Sequence, residues 1–137
     1  MVIQASFQAG TPIIDMTGIS PGVLYAIGAK AIGQAWMIGR PLGSNDMAQA
    51  MLNMVSCADI SEAWLLIDPD SPVRLSLTIL DNFGISFEQD FEMAAELSIP
   101  STNLVRRGVP LHRLQLWKPT RPIQYATAAC EKKRNPL

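Results

Sequence analysis

From Ser44 to Leu66 the apolar residues Met47, Met51, Met54, Val55, Ala58, Trp64, Leu65 and Leu66 recur at three- and four-residue steps. That spacing is what one buried face of a helix requires, so the segment predicts a long helix capped by Ser44 or Asn45, divisible near Ala58 to Ser61. Asp68-Pro69-Asp70 ends it. Ser71-Pro72 then restarts a helix over Val73, Leu77 and Leu80, because the missing N–H of proline costs nothing in a first turn. Leu75 to Ile79 also alternates, which keeps a strand as the rival there, and Asn82 with Gly84 supplies the stop. Ser86, with Gln89 three residues on, opens a further helix carrying Phe87, Phe91, Ala94 or Ala95, and Leu97.

Upstream, Met1 to Phe7 is expected to form a short strand, and Ser20-Pro21 to start a Gly-rich helix reaching Ile38. Downstream, Leu111, Arg113, Gln115 and Trp117 alternate with His112, Leu114 and Leu116, the pattern of a strand. Lys118-Pro119-Thr120-Arg121 can turn the chain back into a second strand near Ile123 to Tyr125, before a solvated tail from Glu131. The expected fold is mainly α: a compact helical domain with a helix-turn-helix-like segment and a small C-terminal β-hairpin or strand. It divides into an extension over 1–43, a helical domain over 44–127 and a flexible tail over 128–137.

The formal net charge of −1 hides a split. Through Val105 eleven acidic side chains face only Lys30, Arg40 and Arg74. From Arg106 onward Glu131 alone faces Arg106, Arg107, Arg113, Lys118, Arg121, Lys132, Lys133 and Arg134. A basic C-terminal third after a helix-turn-helix-like stretch makes nucleic acid the leading candidate partner. That stretch runs from Ala94 to Arg107, with Ser98 where a turn glycine is usual and Ser101 to Asn103 as a polar start to a recognition helix. Arg106, Arg107, Arg113, Lys118 and Arg121 are the candidate DNA-binding residues, acting by phosphate neutralisation, with a solvated basic face as the plain alternative. Trp117 is expected to pack in its strand and His112 to be structural.

Asp59-Ile60-Ser61-Glu62-Ala63-Trp64-Leu65-Leu66, Leu80-Asp81-Asn82-Phe83-Gly84-Ile85, Leu97-Ser98-Ile99-Pro100 and Val109-Pro110-Leu111-His112-Arg113-Leu114 together resemble the FlhD family. That family supplies the smaller subunit of the flagellar master transcription activator, with relatives in mobile elements. The resemblance runs from about Ser44 to Trp117, and Ile99 stands where the family has a second leucine. It implies a dimer or higher oligomer that joins a larger activator subunit at promoter DNA. It also places Met47, Met51, Met54 and Trp64 at a partner-binding surface. A non-enzymatic adaptor or structural assembly protein without direct DNA contact is the alternative function.

Chemistry is thinly represented. Asp68 and Asp70 flank Pro69, where turn roles explain them, and no phosphate-binding glycine motif precedes a suitable lysine. One His and two well-separated cysteines, Cys57 and Cys130, give no metal-ligand spacing, so no catalytic residue, metal or cofactor is expected. The Gly-interrupted apolar run over Ile19 to Ile38 contains Lys30 and Gln34, which argues against a membrane span. Without a secretory signal pattern the expected location is cytoplasmic, where both cysteines would be free thiols, although a disulfide remains open.

Overall fold

The computed structural model describes residues 8–18, 24–25, 27–33, 44–100 and 111–135, and its centre is a five-stranded mixed sheet. In chain order the strands are β1 (Pro12–Asp15), β2 (Lys30–Ala31), β3 (Trp64–Ile67), β4 (Phe91–Pro100) and β5 (Leu111–Pro119). Across the sheet they run β2-β1-β3-β5-β4. β1 is parallel to β2 and to β3, while β5 is antiparallel to β3 and to β4. Four strands therefore share one direction and β5 is the single reversed member, inserted before the edge.

The mainly-α expectation is overturned by this sheet. Trp64 to Ile67 was expected to end a long helix but forms β3, whose four residues are all buried. A strand covered on both faces shows an unbroken apolar run rather than alternation, and such a run imitates a helix segment. The stretch before it breaks into two helices, α1 (Ser44–Asn53) and α2 (Cys57–Glu62), with the Ser56 hydroxyl capping α2 through the Asp59 N–H at 3.1 Å.

The helix-turn-helix segment is corrected as well. Ala94 to Pro100, its expected first helix and turn, lie in β4, and residues 101–107 lie outside the described residues. The helix opened by Ser86 is a single turn, α3 (Phe87–Asp90), before the chain extends. Ser71-Pro72 makes turns instead of a helix, and a 3-10 helix follows over Leu77–Phe83. Gly84 stops it as expected, in a left-handed conformation with φ of 71°. The expected strand over Ile123 to Tyr125 and tail from Glu131 are replaced by α4 (Ile123–Arg134). The expected helix over Pro21 to Ile38 is interrupted by β2, and the expected strand over Met1 to Phe7 lies outside the described residues. The expected C-terminal strand is present as β5.

Side-chain alternation divides the core between the two faces of the sheet. Ile14 and Met16 of the β1 region, Leu65 and Ile67 of β3, and Trp117 of β5 face α1, α2, the 3-10 helix and α4. Ile13, Trp64, Leu66, Leu114 and Leu116 face the other way, against Leu24. The connection from β1 to β2 thus packs on one face, and the connection from β2 to β3 on the opposite one. Such winding moves outward from β1 to β2, then returns across β1 to β3. β1 and β2, from the N-terminal extension, are hydrogen-bonded into the same sheet as the later strands.

α4 closes the larger face. It buries Ala126 and Cys130, and a disulfide joins Cys130 to Cys57 of α2, so these are not the free thiols expected in the cytoplasm. The Arg134 guanidinium donates to the Leu52 carbonyl at 3.0 Å and stands 5.7 Å from the centre of the Phe83 ring.

Candidate ligand site at the carboxyl edge of the sheet

Adjacent parallel strands whose connections leave in opposite directions open a crevice at their carboxyl ends. Here that place lies beyond Asp15 of β1 and Ile67 of β3. Both strands end in the same local device. The Oδ1 of Asp15 accepts from the backbone N–H of Thr17 at 2.8 Å and from its hydroxyl at 2.7 Å, and the Oδ1 of Asp68 accepts from the backbone N–H of Asp70 at 2.9 Å. A carboxylate bonding two residues ahead mimics a backbone turn, which is why aspartate suits a strand end. The two turns are tied together by the Ser71 hydroxyl, which donates to the Thr17 carbonyl at 2.8 Å. Asp15, Thr17, Asp68 and Ser71 are all fully buried.

Beside these turns, on the helical face, is a cavity of about 580 Å³. Met16, Ile67 and Leu75 form a buried apolar floor, with Leu77 and the prolines Pro69 and Pro72 on its walls. Asn45, Arg74, Ser76 and Thr78 supply its polar groups. The Asn45 side chain accepts from the Ser76 N–H at 3.0 Å, which brings the start of α1 to the start of the 3-10 helix. Ser76 and Thr78 share a hydroxyl hydrogen bond of 2.6 Å, and Arg74 donates to the Ser71 carbonyl at 2.8 Å. Apolar walls with a few placed polar groups are what small-molecule sites have in common.

Asp15 belongs to the opposite face, by alternation from Ile13. Its Oδ2 is buried without a hydrogen-bond partner among the described residues. Burial pushes its pKa above the ordinary 3.8, against the smaller downward pull of the Thr17 hydroxyl and N–H. A carboxyl that titrates higher when folded holds its proton more tightly in the native state. Its contribution to stability is complete below the ordinary value and is lost as pH rises through the raised one. Asp15→Asn keeps the acceptor for Thr17 but cannot ionise. The stability of the wild type relative to this variant is therefore expected to be lower at pH 7 than at pH 4. Urea unfolding of both proteins at the two pH values measures it, and parallel profiles would refute the assignment.

The basic residues singled out in the sequence do not gather on one patch among the described residues. Arg113 is held by Asp70 through two hydrogen bonds, at 2.9 and 3.1 Å, which raise its pKa further. Arg121 donates to the Gly84 carbonyl at 3.0 Å and lies 3.7 Å from Asp90. Lys118 stands 6.0 Å over the Trp64 ring, which places it on the sheet face opposite Trp117. Arg106 and Arg107 lie outside the described residues. Of the candidate partner-binding residues, Met47 and Met54 are 62% and 88% exposed, Met51 is half-buried, and Trp64 is 6% exposed inside the sheet. Asp68 and Asp70 take turn and ion-pair roles. Among the described residues no cluster of His, Cys, Asp or Glu could hold a metal ion.

Sequence reasoning missed Asn45, Arg74, Ser76 and Thr78 as the polar lining of a cavity. The available signal was an apolar run ending in Asp15-Met16-Thr17-Gly18 and a second ending in Asp68-Pro69-Asp70-Ser71, both of which mark strand ends. No family model, no curated protein and no solved structure matches the chain.

Proposed function

We propose that this chain is a ligand-binding α/β domain that holds a small organic molecule in the cavity beyond β1 and β3. The observation that carries this reading is a cavity of about 580 Å³ sited where the winding of the sheet reverses. Its volume falls within the roughly 300–1,000 Å³ typical of small-molecule sites, and its position is where open α/β sheets bind ligands. Binding is favoured over chemistry because the described lining residues include no carboxylate, imidazole or thiol to act as acid or base near neutral pH.

The test is a screen of small organic compounds against the full chain, read by the Met16 methyl resonance and by melting temperature. Binders are expected to shift Met16 and raise the melting temperature. Leu77→Trp, which places an indole in the cavity, should abolish both responses. If binders perturb other methyls and leave Met16 silent, the reading fails.

A second reading, docking on a partner through α1 as an adaptor or activator subunit would, is favoured by the exposure of Met47 and Met54. Solvent-facing methionines make adaptable contact surfaces. In an FlhD-type activator, DNA contact would fall to Arg106, Arg107, Lys118, Lys132 and Lys133, since Arg113, Arg121 and Arg134 are engaged within the fold. Duplex binding that weakens steeply with added salt would decide for that role. Among the described residues no helix is long and apolar enough to cross a membrane. The Cys57–Cys130 bond favours an oxidising compartment over the cytoplasm.

A further inference from the structure

We propose that the cavity takes an amphipathic organic anion, with its charged group on Arg74 and its hydrocarbon body on the floor of Met16, Ile67 and Leu75. The proposal rests on the ligand-binding reading and names the class of ligand. The apolar surface still open to water lies mainly on the walls, at Pro69, Pro72 and Leu77 above that floor, and it favours a hydrocarbon portion that gives up water on entry. Among the described residues Arg74 is the one charged side chain in the lining.

Four observations make Arg74 an anion anchor. Its Nη1 bond to the Ser71 carbonyl fixes the guanidinium at the cavity wall and uses one of five N–H donors. It has no carboxylate partner among the described residues, although it lies in the strongly acidic part of the chain. The nearest carboxylates in sequence are committed to other groups, Asp70 to Arg113 and Asp68 to the Asp70 N–H. A planar guanidinium with donors to spare pairs with a carboxylate in the fork geometry that gives the strongest charge-assisted bonds. Asn45 brings the N-terminal end of α1 to the same wall, and the helix dipole there has the sign that favours an anion.

The experiment titrates the full chain with octanoate and with octanamide, which share a hydrocarbon tail and differ in charge, following the Met16 methyl resonance. Octanoate is expected to bind at least tenfold more tightly. Arg74→Gln should reduce octanoate to the octanamide level, whereas Arg74→Lys, which keeps the charge without the fork, should retain part of the difference. Equal affinity for the two compounds, or an octanoate affinity unchanged in Arg74→Gln, overturns the anion assignment and leaves the cavity as a site for neutral ligands. Silence of Met16 towards both compounds overturns the ligand-binding reading itself.

Discussion

Opening the Cys57–Cys130 bond is expected to lower the unfolding free energy by about 4 kcal/mol. The two cysteines are 73 residues apart in sequence, and both are buried between α2 and α4. Cross-linking so long a segment removes conformations mainly from the unfolded chain, so the effect grows with the length enclosed. A loss of this size is a large share of the stability of an ordinary domain. Urea unfolding with and without dithiothreitol should show the loss as a lower midpoint, and the Cys57→Ala/Cys130→Ala variant should match the reduced wild type. α4 is also tied through Arg134 to Leu52 and Phe83, and Arg121, just before it, is tied to Gly84, so the reduced protein should still fold. Indifference of the midpoint to reductant would show that the bond does not form.

Gly18→Ala is the second substitution with a large expected effect, a destabilisation of roughly 3 kcal/mol. Gly18 has φ of +76°, in the left-handed region, and a Cβ there would overlap the backbone carbonyl oxygen of Val73. The residue lets the turn after β1 lie directly against the chain leaving β3, one residue before Arg74. Gly10→Ala is the control. Its φ of +87° is as demanding, but a Cβ at that point meets nothing within 4 Å among the described residues. The control should therefore show only the backbone penalty, about 1–2 kcal/mol. Chemical denaturation of both variants separates conformational strain from steric overlap, and equal losses would contradict the close approach at Gly18.

How far the sequence reveals this fold depends on how each element is buried. β5 is legible because it alternates: Leu114 and Leu116 turn to one face and Trp117 to the other. The stop at Gly84 is legible because a left-handed residue favours glycine. β3 is concealed because both of its faces are covered. β4 is concealed for another reason. Ala94, Ala95, Glu92 and Glu96 are good helix formers, and the register shift between Met93 and Ala95 breaks the two-residue alternation. α4 exposes most of its residues and buries Ala126 and Cys130 four apart, too little apolar pattern to distinguish it from a tail.

The candidate site was less legible than the fold. Asn45 and Ser76 meet only after the chain has crossed the sheet, and no local spacing relates them. The basic count of the C-terminal third was legible, but composition does not say which guanidinium meets Asp70, Asp90 or a carbonyl oxygen.

The strand order also governs the sequence of events during synthesis. β1 emerges from the ribosome well before β3, its partner on one side, because Ile13 pairs with Trp64. Until then the nascent chain carries an open strand edge beside apolar side chains, the kind of surface on which chaperones act and aggregates start. Sheet closure must await β5, which lies between β3 and β4 in space but follows both of them in the chain.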